Sequence, residues 1–211
     1  MQMNKKLLII AERNTGKTTY LYKKILKLYK EGKNIIVLDS ATEHEEKSLL
    51  RKICNVCNDT VVINMCDYKN VIFDEIDIQS FKNNYMNYFP YSEITYNKNK
   101  IICFDLSYFL EKGHDEYEKN NSIKSYNYYR KLYNCLSQQI IVMLILMDCN
   151  DNIENTVVVM DEIELPIVSY SINLSQKNLS FIAAVHPENA FGTFYSCFKK
   201  MNFIPFKGKD V

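Results

Sequence analysis

Apolar residues in this chain come in short runs, separated by stretches in which they recur at helical spacing. The segment KKLLIIAERNTGKTTYLYKKILKLYKEGKNIIVLDS opens with an apolar strand and a polar turn. A helix follows with Leu21, Ile25 and Leu28 on one face, then Gly32 as a terminating residue and a second strand from Asn34 to Asp39. This is a βαβ pattern, so the second strand is predicted to run parallel to the first with the helix packed across the sheet. Further on, the spacing predicts a helix from about His44 to Cys57, a strand at TVVINM and a fourth strand at Val71 to Asp74. Residues 82–99, rich in Asn and Tyr around Pro90, read as an exposed excursion. Beyond it come the run IICFDLSYFL, a polar tract with Gly113, and a long helix from about Ser122 to Met147. The strands TVVVMDE and LSFIAAVH and a helix from Glu188 to Lys200 complete the pattern. Strands alternating with helices predict an α/β fold, a three-layer sandwich around a mainly parallel sheet, with residues 1–211 forming one domain.

Composition adds few constraints. The chain has 211 residues, 47% hydrophobic and 24% charged, which suits a globular chain able to bury a core without disulfides or a structural metal. Seven cysteines among apolar neighbours fit reduced thiols, and with no secretory signal in the reading the cytoplasm is the expected compartment. The longest apolar run, Ile140 to Met147, is too short to span a bilayer, so no membrane partner is expected. The net charge of +1 conceals a basic beginning: residues 1–33 hold nine Lys/Arg against two Glu, and the remainder is net negative. Lys23, Lys24, Lys27 and Lys30 within it read as the solvated face of the first helix.

The polar turn carries the strongest chemical signal. Ala11-Glu12-Arg13-Asn14-Thr15-Gly16-Lys17-Thr18 matches the phosphate-loop pattern GxxxxGK(S/T) at every specified position but the first, where Ala stands for Gly. Its context, strand before and helix after, lets successive backbone N–H groups and the positive end of the helix dipole surround phosphates. Asn14, Thr15 and Gly16 would line the cradle, Lys17 would place a charge on the β and γ phosphates, Thr18 would ligate Mg²⁺, and Thr19 would touch the α phosphate. A Cβ at Ala11 is disfavoured if that position needs a positive φ. Hydrolysis also needs a carboxylate on the metal side and a group that activates water. Val157-Val158-Val159-Met160-Asp161-Glu162 offers both: Asp161 to hold Mg²⁺ and Glu162 as general base. Val71-Ile72-Phe73-Asp74-Glu75 is a competing copy; the later run is longer and is followed closely by another apolar strand.

With these segments the chain resembles the P-loop NTPases of the ASCE division, and in segment order the HerA/FtsK group of RecA-like ATPases. The residues behind the subgroup resemblance are VLDSATEHEE and IICFDLSYFL. The resemblance implies a RecA-like fold in which FIAAVH is the strand between the phosphate-loop strand and the Asp161 strand. It also implies that His186, at the end of that strand, is the polar sensor of the γ phosphate or the attacking water, where the group usually has Gln. An Arg acting on a neighbouring subunit's site, with Arg51 and Arg130 as candidates, a homo-oligomer or protein partner, and nucleic acid as a motor's track are further implications by family analogy only. Type II thymidine kinases share the opening segment, without their zinc-binding cysteines.

Cys54-Asn55-Val56-Cys57 with Cys66 beyond lacks a fourth zinc ligand, and His114-Asp115-Glu116 lies in a charged, exposed tract. No guanine-reading N/T-K-x-D signal stands out, so ATP is taken as the nucleotide. The expected function is an ATPase that hydrolyses MgATP to drive movement in a partner or oligomer. A small-molecule or nucleoside kinase, its acceptor pocket formed by residues 82–99, and a nucleotide-dependent switch with little turnover are the alternatives.

Overall fold

A computed structural model of the chain describes residues 6–12, 15–40, 48–67, 85–87, 90–96, 100–150, 153–161 and 179–187. The elements are β1 (Lys6–Ile10), α1 (Lys17–Lys30), β2 (Asn34–Asp39), α2 (Leu49–Cys54), β3 (Thr60–Asn64), α3 (Tyr91–Tyr96), β4 (Ile101–Asp105), α4 (Ser107–Asn120), α5 (Ile123–Cys149), β5 (Thr156–Asp161) and β6 (Leu179–Val185). The strand expected at Val71 to Asp74, the helix expected at Glu188 to Lys200, and residues Arg13, Asn14, His44, Asp74, Glu75 and Glu162 lie outside the described residues.

The six strands form one parallel sheet in the order β1-β6-β5-β2-β4-β3. Alternation along each central strand divides the core in two. Ile35, Val37, Val157, Val159, Ile182 and Ala184 face one side, where Leu21, Ile25 and Leu28 of α1 and Leu49 and Ile53 of α2 cover them. Ile36, Leu38, Val158, Met160, Phe181 and Ala183 face the other, against Ile94 of α3, Phe109 of α4 and the apolar face of α5. The result is a three-layer α/β sandwich. Its assignment of helices to faces follows from crossover handedness. Steps that run from β1 to β2 and from β2 to β3 carry α1 and α2 on one face, and the step back from β4 to β5 carries α4 and α5 on the opposite face.

Two elements differ from the pattern read in the sequence. The helix expected from His44 is the shorter α2, begun by Ser48, whose Oγ accepts from Arg51 N at 3.2 Å. The polar tract around Gly113, for which the sequence suggested no element, is the body of α4, whose side chains pair along the helix as Lys112–Glu116, His114–Glu118 and Asp115–Lys119. Within residues 82–99, Tyr96 is exposed, while Ile94 sits in the core.

The 27 residues of α5 are long and apolar enough to cross a membrane, but 72% of the apolar window is buried against the sheet and α4. At a rise of about 1.5 Å per residue α5 spans about 40 Å, roughly twice the length of the strands. Because α4 starts at the carboxyl end of β4 and α5 ends just before the amino end of β5, the excess stands beyond the carboxyl edge of the sheet. Accordingly the buried residues of α5 begin at Leu132. Gly113 lets the two helices pack closely in this arm: a Cβ there would meet Tyr129 Cβ at 3.3 Å.

Candidate functional site

All six strands end on the same edge, so every residue that directly follows a strand is delivered to one rim of the molecule. The turn from β1 into α1 occupies this rim beside β6. It is drawn tight by its own side chains. Thr15 Oγ1 donates to Glu12 O at 2.7 Å, and Lys17 Nζ donates to Ala11 O at 2.7 Å and to Glu12 O at 3.2 Å. The Lys17 side chain is thereby folded back over the loop it follows, and the residue is only 4% exposed. An ammonium at that depth requires polar partners, which the two carbonyls supply. Gly16 precedes the first turn of α1 with φ of 92°, a conformation open to glycine at little cost. Tyr20 N then donates to Gly16 O at 2.9 Å and the helix begins. Ala11 needs no such freedom, because among the described residues the non-glycine positions of positive φ are Asn121 and Asn155. The departure from Gly at the head of the motif therefore carries no backbone strain.

The second component comes from the far end of the chain. Four successive apolar residues bury β5, and Asp161 ends it at 2% exposure. Thr18 Oγ1 donates to Asp161 Oδ2 at 2.8 Å across 143 residues of sequence, and Ser40 Oγ donates to Asp161 O at 3.3 Å. The carboxylate and hydroxyl are hard oxygen donors of the kind Mg²⁺ takes, and their separation is close to the roughly 2.9 Å between adjacent ligands of an octahedron with about 2.1 Å bonds. The donor set thus fits Mg²⁺ completed by phosphate oxygens and water. Thr19, the next residue, accepts from Lys52 Nζ of α2 at 3.5 Å.

Asp161 belongs to a row. Its register partner on β2 is Asp39, whose partner on β4 is Asp105, so three carboxylates leave adjacent strands on the face that α1 and α2 cover. The row does divided work. Asp39 Oδ2 accepts from Leu50 N at the start of α2 at 2.9 Å. Asp105 Oδ1 accepts from Ser107 N at 3.0 Å and Ser107 Oγ at 2.7 Å at the start of α4. Asp161 meets α1 through Thr18. Among the described residues, no group of three or more His, Cys, Asp or Glu is arranged to hold a metal ion. The organising roles of Asp39 and Asp105 were absent from the sequence reading. An Asp at the end of an apolar run, followed within two residues by Ser, is the signal that marks both.

His186 follows β6, which pairs with β1 on one side and β5 on the other. Its Nε2 lies 2.8 Å from Glu12 Oε2, so it reaches the turn between β1 and α1 from the neighbouring strand end. Glu162 directly follows Asp161 in sequence. Arg51 and Arg130 are exposed on α2 and α5. The structure therefore brings together Thr15, Gly16, Lys17, Thr18, Asp161 and His186, and leaves both arginines on the surface.

No protein-family model, curated protein or solved structure matches this chain.

Proposed function

We propose that the chain is a P-loop ATPase that binds MgATP between the turn of residues 11–19 and the carboxyl ends of β5 and β6. The observation that carries this reading is the 2.8 Å contact between Thr18 and Asp161. A chance GKT at a helix start has no reason to meet a buried carboxylate 143 residues away, whereas a site for a metal nucleotide requires that meeting. The strand order supports the same reading, because β6 lies between β1 and β5 and so presents its terminal residue between the loop and the acid.

In this account the N–H groups at the start of α1 and the Lys17 ammonium bind the phosphate oxygens. Thr18 and Asp161 would hold Mg²⁺, which would supply positive charge to offset that of the phosphates. Glu162 takes the proton of the attacking water, and His186 senses the γ phosphate from the end of β6. Residues after His186 then carry the phosphate state to a partner or another subunit, with DNA as one such partner by resemblance alone.

Steady-state ATP hydrolysis with Mg²⁺ tests the reading, run beside Lys17→Ala and Glu162→Gln, with and without single- and double-stranded DNA. Either substitution is expected to lower kcat by about 10²-fold or more. Full activity in Lys17→Ala contradicts the reading, and stimulation by DNA identifies the partner.

A further inference from the structure

Three contacts of the phosphate loop converge on Glu12. Its carbonyl accepts from Thr15 Oγ1 and from Lys17 Nζ, and its carboxylate meets His186. The backbone explains why the last pair forms. The pairing runs one residue past β1, with Ala11 N donating at 3.2 Å to the carbonyl of Val185, the last residue of β6, so Glu12 and His186 leave neighbouring strand ends together. An ionised carboxylate has no proton to give, so Nε2–H donates and Oε2 accepts. That bond turns the ring toward the loop. With the two side chains 23% and 69% exposed, the pair contributes little to stability; its consequence is orientation.

Resting on the ATPase reading above, we propose that Glu12 is a positioning residue for His186. The carboxylate holds the imidazole at the rim of the phosphate cradle. Because the Glu12 carbonyl is also bound to Lys17, the residue ties the lysine that grips phosphate to the strand end that reads it. Glu12 itself need not touch the nucleotide. Neither Glu at the second position of the loop nor a His at the end of β6 is specified by the GxxxxGK(S/T) pattern, so the pair is a feature of this chain's own geometry.

The test compares kcat and KM for MgATP hydrolysis in the wild type, Glu12→Ala, Glu12→Gln, His186→Ala and the Glu12→Ala/His186→Ala double variant. Thermal unfolding without nucleotide checks that each variant folds. Glu12→Ala is expected to lower kcat about tenfold with KM within about threefold of wild type. Glu12→Gln, whose amide oxygen still accepts from Nε2–H, is expected to recover most of that loss. The double variant is expected to be no slower than His186→Ala alone, because removing Glu12 has no further effect once the ring is gone. A kcat for Glu12→Ala within twofold of wild type overturns the proposal, as do losses that multiply in the double variant or a Glu12→Gln as slow as Glu12→Ala. An inactive wild type, or a fully active Lys17→Ala, overturns the ATPase reading and the proposal with it.

Discussion

At the scale of single residues, the site depends on groups buried where the strands end. Asp161 and Lys17 are almost fully enclosed, and each is made tolerable by specific partners. Cys103, in the middle of β4, is enclosed without such a role, and burial, ahead of the nearby Cys54 thiol and the Asp39 carboxylate, pushes its thiol well above the ordinary value of 9.0. A thiol held neutral in the folded state loses its proton first in the unfolded chain. The unfolded state therefore binds fewer protons at high pH, and stability falls as pH rises. Below about pH 9 the contribution is fully present. Above it, stability should decline by up to about 1.4 kcal/mol per pH unit for this one group. Denaturant titrations at pH 8 and pH 10 check this: the drop should be smaller in Cys103→Ala, though not abolished, since Cys54 and Cys57 are shifted in the same direction. An equal drop in both proteins would show that Cys103 has no part in it. Such enclosure was only half legible in the sequence. The run of apolar neighbours marks Cys103 as a core thiol, but the phosphate-loop motif gives Lys17 its chemistry without its depth, and nothing local marks Glu12 as the partner of His186.

At the scale of elements, the opening βαβ unit was readable because apolar spacing, a motif and a terminating Gly32 agree. The Asp-ended strand β5 was also visible. The helix α4 was not, since Gly113 and a run of charges are turn signals in isolation. What makes the run helical is its spacing, which sets opposite charges four residues apart, and its packing on α5, where Gly113 faces Tyr126 and Tyr129. Substitutions at Gly113 separate these two influences. Gly113→Ala adds up to about 1 kcal/mol of helix preference against a contact at 3.3 Å, so the net change in stability should be small. Gly113→Val has no such compensation and should cost about 1–3 kcal/mol by wedging α4 from α5. Unfolding in denaturant distinguishes the two, and equal stabilities for both variants would show that the helices do not pack closely here.

At the scale of the whole molecule, the parallel sheet converts sequence-distant segments into one rim. The strand order sets β6 between β1 and β5, so the loop after β1 stands beside the acid ending β5 and the histidine after β6, although it lies more than 140 residues from either in the chain. A sandwich of this class was legible from the alternation of strands and helices. The division of carboxylates along the rim was not, because register between strands is a property of the assembled sheet: Asp39, Asp105 and Asp161 become neighbours only when β2, β4 and β5 pair. The arm formed by α4 and the start of α5 rises from the same carboxyl edge, and its length follows from helix rise against strand length. The central claim is that this rim is a cradle for a metal-bound triphosphate, and calorimetric titration of ATP into the protein with and without Mg²⁺, repeated on Lys17→Ala and Thr18→Ala, tests it most directly. The account predicts saturable one-to-one binding that is lost in Lys17→Ala and, in Thr18→Ala, loses its dependence on Mg²⁺. Absence of binding by the wild type, or equal binding by all three proteins, would contradict it.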